Sequence, residues 1–423
     1  MEVSLAAQWC RDAAEILLGH CLRGEPWPGD LLRRLVNEAL HPDATRARHA
    51  SEALFGALVE NLADRFEPRL CSVYVELFSE VIALAQPGTD AAELRTRYER
   101  IRKAPAFRGD PAAVRQVFVL SRVTLGADIA VTSPILDGLK RAFPDSEICL
   151  VGGPKSHELF AADPQIRPCV LPYSRTGLLR DRLAVWPHLR ALVDQPCSIV
   201  VDPDSRLTQL GLLPVCPEEQ YFFFESRAFG GDSDESLARL AAKWLEQTFG
   251  VSGVPYLAPP QMPGPLNRPS ITVSLGVGKN PAKRLPDPFE ARLLRALADR
   301  ADVLVDKGGD AEEAQRVETA IASAASSALR TFEGSFASFA SLVARSRLFV
   351  GYDSAAGHAA AASGTPAIIV FAGAVSPRMR QRWRPWGQGP VEVVEADGLP
   401  PDAALEQVLR HADHLLNPRR SAE

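Results

Sequence analysis

The apolar patterning of the chain predicts two open α/β units, each built on a parallel sheet and facing the other across a cleft, with an all-helical region in front. Three observations lead there. Residues 1–105 carry helical periodicity and no strand-like runs. From Arg115 to Phe249 short apolar runs alternate with helical segments. A second series of the same kind follows a proline-rich stretch, Gly250–Pro269. The bounds expected are 1–105 for the helical bundle, 112–255 and 270–400 for the two α/β units, and 401–423 for a closing helix and tail.

In the first region Val3–Leu22, Leu31–Leu40, Thr45–Phe66, Cys71–Leu84 and Ala91–Lys103 place apolar residues three and four apart, the spacing of one helix face. Gly24–Asp30, His41–Asp43 and Gln86–Thr89 separate them with Pro, Gly and Asp. No residue set there suggests chemistry. After the linker Ala104–Ala113, strands are expected at Arg115–Ser121, Glu147–Gly152, Ile166–Leu171, Ser198–Asp202 and Tyr221–Glu225. Helices are expected between them at Asp128–Phe143, Gly177–Val193 and Glu235–Phe249. Val117–Leu120 and Ile199–Val201 are apolar without a break, as strands covered on both faces must be.

The second unit reads as strands Ile271–Leu275, Asp302–Asp306, Leu348–Tyr352, Ala367–Phe371 and Val391–Val394. Its helices are Pro288–Asp299, Ala311–Ala325, Ser335–Ala344, Ala355–Ala362 and one near Asp402–Leu416. Such pairs of sheets bind ligands outside the carboxyl ends of their strands.

Composition narrows the function. With 423 residues the chain has material for two or three domains, and 46% hydrophobic with 23% charged residues is ordinary for a globular protein. A net charge of −5 with both signs interspersed argues against a nucleic-acid binder. Cys10, Cys21, Cys71, Cys149, Cys169, Cys197 and Cys216 form no CxxC pair and read as reduced core thiols of a cytoplasmic protein. Glu2 and the absence of a basic n-region speak against a signal peptide. The apolar window Ala359–Ala374 is interrupted by Ser363, Gly364 and Pro366, so membrane contact is expected to be peripheral at most.

Three segments can carry chemistry. In Val123–Pro134, Gly126 permits a tight strand-to-helix turn and sets Asp128 near a helix start, facing the cleft. Asp128 there can cap the helix or accept the proton of an attacking hydroxyl; the spacing allows both. Phe349–Phe371 reads strand, turn, small-residue helix, Gly-Thr-Pro stop, strand. Its helix start offers free N–H groups to a diphosphate, with Ala355, Ala356 and Gly357 allowing close approach. Ser354 and His358, four apart, share a face, and a cap with a core histidine is the other reading. Ser274–Pro286 holds Gly276, Gly278, Lys279 and Lys283, able to cradle phosphate, although the P-loop spacing is absent. Asp202-Pro-Asp204 fits a DxD metal pattern that any strand-end loop can also carry; no metal is expected. Neither GxGxxG after a strand nor a GxSxG elbow occurs.

Gly126-Ala-Asp128 through Thr132-Ser-Pro134, Leu139-Lys-Arg-Ala-Phe-Pro-Asp145, Lys283-Arg284, Asp353-Ser354 with His358, Ala360–Ala362, Gly364 and Pro366, and Arg382-Trp-Arg-Pro-Trp-Gly387 together resemble glycosyltransferase family 9, the heptosyltransferase-like enzymes of bacterial envelope polysaccharide (lipopolysaccharide) synthesis. The likeness spans residues 115–415 and leaves the helical region uncovered. It implies a GT-B fold of two Rossmann-like domains and an inverting transfer without an essential metal or other cofactor. Asp128 would be the general base. Gly276, Lys279, Lys283, Asp353, Ser354, Ala355, Gly357 and His358 would lie around an ADP- or UDP-linked donor. Gly126, Asp202 and Arg206 would face a saccharide, lipid-linked or protein acceptor. Three positions depart from the family pattern: Ala127 stands between Gly126 and Asp128, Ala355 replaces a glycine, and Leu285 replaces a tryptophan. These departures keep open a non-catalytic nucleotide-sugar binder whose residues 1–105 dock a protein partner or a second copy. An epimerase on the same architecture is a third reading.

Overall fold

The structure, a computed structural model, describes residues 2–103, 106–260, 270–278 and 280–417. Parts of both expected linkers (104–105 and 261–269), Lys279 and the end of the tail lie outside the described residues.

Helices come first, as expected: α1 (Glu2–Arg23), α2 (Gly29–Ala39), α3 (Ala44–Glu52) running through a π-helical stretch Ala53–Val59 into α4 (Glu60–Ala63), then α5 (Pro68–Ala85) and α6 (Ala91–Ile101). Asp43 and Asp90 cap α3 and α6, their carboxylates accepting from backbone N–H groups of the first turns.

The N-terminal lobe follows: β1 (Gln116–Leu120), α7 (Leu125–Ala127), a π-helical turn Asp128–Thr132, α8 (Ser133–Ala142), β2 (Glu147–Gly152), α9 (Pro154–Glu158), β3 (Ile166–Val170), α10 (Leu179–Val193), β4 (Ser198–Asp202), β5 (Tyr221–Phe223) and α11 (Leu237–Phe249). The C-terminal lobe holds β6 (Ile271–Ser274), α12 (Phe289–Ala298), β7 (Val303–Asp306), α13 (Ala311–Ala324), β8 (Leu329–Phe332), α14 (Phe336–Val343), β9 (Leu348–Tyr352), α15 (Ala355–Ala362), β10 (Ala367–Phe371), α16 (Pro377–Trp383), β11 (Val391–Glu395) and α17 (Pro401–Leu416). Both sheets are parallel throughout, with strand orders β3-β2-β1-β4-β5 and β11-β10-β9-β6-β7-β8. β8, α9 and α16 are additions to the sequence reading. β8 is an edge strand, half exposed, and its four residues are too few to show a period.

These orders fix where ligands can bind. In each sheet the chain winds outward on one side of a central strand and then returns to the other. The crevice at such a switch point opens between the carboxyl ends of β1 and β4 in one lobe and of β6 and β9 in the other.

Alternation along the first sheet divides its side chains between two cores. Val117, Val119, Ile148, Leu150, Ile199 and Val201 pack under α8 and α11. Phe118, Leu120, Cys149, Val151, Val200, Tyr221 and Phe223 point the other way, into one continuous core with Leu17, Leu35, Leu54, Leu58, Tyr74, Phe78 and Tyr98 of the helical region. The helical residues thus cover a sheet face and share its core. Among the cysteines, Cys197 is exposed and Cys169 half-buried, which corrects the reading of all seven as core thiols; the other five are buried. No helix among the described residues is long and apolar enough to cross a membrane.

Candidate active site

At the C-terminal switch point three expected residues meet. β9 ends at Tyr352 and the chain turns through Asp353 and Ser354 into α15. Lys283, in the turn after β6, places Nζ 2.5 Å from Asp353 Oδ2 and 3.3 Å from the Asp353 carbonyl. Ser354 is the N-cap residue in extended conformation, yet its hydroxyl makes no cap hydrogen bond. That Oγ is buried and without a partner among the described residues. A buried hydroxyl left unpaired costs about 1–3 kcal/mol. Ala355 and the free N–H groups of the α15 start lie beside it, an arrangement that could receive an anion.

His358 lies one turn further on, 5% exposed, its ring 5.9 Å from that of Trp383. Burial pushes its pKa down to about 4, with Asp353 opposing and Lys283 adding to the fall. The imidazole is therefore neutral near pH 7 and offers a hydrogen bond rather than a charge. A group whose folded pKa is depressed binds protons more weakly than in the unfolded chain, so stability falls as pH drops from about 6.5 toward 4. The loss is about 3 kcal/mol over that window. Urea unfolding at several pH values is expected to show this slope, and His358→Gln to flatten it; equal slopes for both proteins would disprove the assignment.

Gly357 is needed for packing: a Cβ there would stand 2.7 Å from Ile369 Cδ1. Gly276 makes room for Glu313, whose Oε1 would be 2.3 Å from an added Cβ. Glu313 was not singled out from the sequence. Its signal was present, in the Gly308-Gly-Asp turn that starts α13 after β7. The carboxylate lies against the strand-end loops and its Oε2 accepts from Gly309 N–H at 3.3 Å. Leu285, at the position of the expected tryptophan, is buried in the core of the lobe.

Across the seam, Gly126 abuts α15. A Cβ on it would be 3.5 Å from Ala355 Cα and 3.6 Å from His358 Cδ2. The expectation that Asp128 faces the cleft is corrected by the geometry. Asp128 is fully buried, and its carboxylate turns into the N-terminal lobe. Ser121 Oγ and Ser156 Oγ donate to Oδ2 at 2.7 and 2.6 Å; Arg122 N–H and Thr132 Oγ1 donate to Oδ1 at 2.7 and 2.9 Å. Burial raises its pKa against these four donors. Such a carboxylate pins the β1–α7 turn to α9. Asp128→Ala is expected to destabilise the fold by on the order of 3 kcal/mol, because several buried donors lose their acceptor at once. A denaturation midpoint equal to that of the parent would contradict this.

Asp202 is likewise consumed: burial pushes it up to about 6, and it accepts from Thr208 Oγ1, Tyr221 Oη and Ser205 N–H. Asp204 forms a buried ion pair with Arg227 at 2.9 Å. Both carboxylates of the Asp-Pro-Asp segment are thus engaged within the protein. No group of three or more His, Cys, Asp or Glu able to hold a metal occurs among the described residues. Arg206, after β4, is half-buried at the switch point of this lobe.

Arg378, not anticipated from the sequence, and Arg382, of the Arg382–Gly387 block, tie the lobes together from α16. Arg382 is 1% exposed and donates to the carbonyls of Gly231 and Glu235, each at 2.9 Å. Arg378 donates to the Phe66 carbonyl and to that of Gly231. The Phe66 and Trp383 rings meet at 6.0 Å.

Two parallel sheets presenting their switch points to one another, one of them carrying a cation and a helix start, define the class: a GT-B architecture. Comparison with known proteins agrees. Residues 219–407 match the model of glycosyltransferase family 9 (heptosyltransferase), so the chain is similar to that family over most of the C-terminal half. A glycosyl transferase family 9 structure from Veillonella parvula aligns with TM-score 0.54 and 18% identity, covering 71% of this chain and 97% of its own. Escherichia coli heptosyltransferase WaaC with ADP aligns with TM-score 0.51 and 15% identity, covering 70% and 99%. The same enzyme with ADP-2-deoxy-2-fluoro heptose gives 0.51 and 16% over 70% and 99%. No curated protein sequence matches the chain.

Proposed function

We propose that the protein transfers a sugar from a nucleotide-diphosphate donor to a hydroxyl of a saccharide, lipid-linked or protein acceptor, with inversion at the anomeric carbon. The carrying observation is the corner formed by Lys283, Asp353 and the unpaired Ser354 hydroxyl at the start of α15. A leaving diphosphate needs cations and N–H donors aimed at its developing charge, and this corner supplies them without a metal. Engagement of Asp202 and Asp204 inside the lobe supports a metal-independent transfer. Glu313 at the ends of β6 and β7 suits the hydroxyls of a ribose. The WaaC structures contain ADP and an ADP-linked heptose analogue, which makes ADP-heptose the first donor to test. The acceptor would be met from the cytoplasmic side of a membrane.

A thermal-shift screen of ADP- and UDP-sugars tests the reading. A donor at a hundredfold excess over Kd stabilises the fold by about 2.7 kcal/mol. Absence of any shift, together with no release of ADP or UDP in the presence of acceptor sugars, would refute the proposal.

A further inference from the structure

We infer that the helical region supplies a working group to the cleft: the Asp64 carboxylate receives the proton of the attacking acceptor hydroxyl. This rests on the glycosyl-transfer reading above, which needs a base and finds Asp128 sealed.

The position of Asp64 follows from the chain around it. It ends α4, its N–H donating to Glu60 O at 2.8 Å. Two residues later Phe66 adopts a left-handed conformation, φ 53°, which turns the chain toward the C-terminal lobe. Phe66 O accepts from Arg378 Nε at 2.5 Å, and its ring lies on Trp383, the residue that also contacts His358. The turn holding Asp64 is therefore clamped to the donor lobe beside α15.

On the other side, Arg206, Arg175 and Arg122 are the cations acting on the Asp64 carboxylate, and Glu60 is the acidic neighbour. Arg122 follows β1 and Arg206 follows β4, so Asp64 overlooks the switch-point crevice of the acceptor lobe. Arg175 is taken up by Glu60 at 2.6 Å. The Asp64 side chain itself has no hydrogen bond or ion pair among the described residues, while Asp128, Asp202 and Asp204 have three or four bonds each. A half-buried carboxylate with no bonding partner keeps its lone pairs for a substrate hydroxyl. Loss of solvent raises its pKa, the direction that strengthens a base.

The step balances. The acceptor O–H bond breaks and its proton passes to Asp64. The acceptor oxygen forms the bond to the anomeric carbon. The bond from that carbon to the diphosphate breaks, and its electron pair leaves with the nucleotide beside Lys283 and Ser354. Asp64 then gives its proton to solvent.

Full-length wild type, Asp64→Asn, Asp64→Glu and Asp128→Asn would be compared for ADP or UDP release from ADP-heptose and UDP-glucose with alkyl glycosides as acceptors. ADP affinity would be measured by calorimetry in parallel. The inference predicts that Asp64→Asn lowers turnover at least about 100-fold with ADP affinity unchanged, and that Asp64→Glu restores part of it. Full turnover by Asp64→Asn overturns the role of Asp64 alone. So does equal loss of turnover and ADP affinity, or loss of turnover confined to Asp128→Asn. A wild type that releases no nucleotide overturns the glycosyl-transfer reading, and Asp64 with it.

Discussion

A chain lacking residues 1–105 is expected to be insoluble rather than a smaller active enzyme. One face of the first sheet, with Phe118, Leu120, Val151, Val200, Tyr221 and Phe223, is covered among the described residues by α10, the β4–β5 connection and the helical region. Burying one such side chain is worth about 1.5–3 kcal/mol, and stripping the helices exposes many at once. The sum exceeds the whole stability of a typical domain, about 5–15 kcal/mol. Polar ties follow the same seam. Tyr74 Oη donates to Gln209 O at 3.0 Å, Arg97 to Gly211 O at 2.8 Å, and Tyr98 Oη to Glu225 at 2.7 Å. Arg227, 2% exposed, holds Asp204 with two nitrogens, donates to Tyr98 Oη and lies over the Tyr74 ring at 4.8 Å. Arg227→Leu strands the Asp204 charge and is expected to cost about 3–5 kcal/mol. Expression of residues 106–423 alone, followed by circular dichroism and calorimetry with ADP, decides the larger question. A folded fragment that binds nucleotide would show the helical region to be an appendage.

The parallel sheets were legible because their strands are buried on both faces and so read as unbroken apolar runs; β2 and β4 begin and end where the pattern does. The small-residue helix α15 was legible from its Gly-Thr-Pro stop. What escaped depends on partners distant in sequence. Three of the donors that turn the Asp128 carboxylate inward are near it in sequence, but Ser156, 28 residues on, joins them only through the fold. α16 is seven residues long, and its arginines matter only because the Gly231–Glu235 loop meets them. The helical region showed ordinary amphipathic spacing, which says that a face is covered but not by what. That Arg122 and Arg206 come near enough to act on Asp64 is a consequence of the fold alone.

Lys283→Ala is expected to weaken ADP or UDP binding about 100-fold, near the top of what the loss of one contact explains. A hydrogen bond to a charged group is worth about 1.5–3 kcal/mol, which by itself gives roughly 10- to 150-fold. The substitution also changes the charge of the corner. Lys283 and Asp353 now form a close pair, 19% and 9% exposed, and present little net charge to an arriving anion. Without the ammonium, Asp353 stands as an uncompensated carboxylate at the start of α15, where it competes with the diphosphate for the positive end of the helix. Screening by salt is weak at such burial, so the loss should persist at high ionic strength. The repulsive part can be separated. Lys283→Ala combined with Asp353→Asn removes both charges and is expected to regain about tenfold, a result that no general disruption of the loop would give. Calorimetry with ADP and UDP on the three proteins reads this directly. If the double substitution binds no better than the single one, Asp353 does not face the diphosphate, and the anion site must lie elsewhere along the cleft.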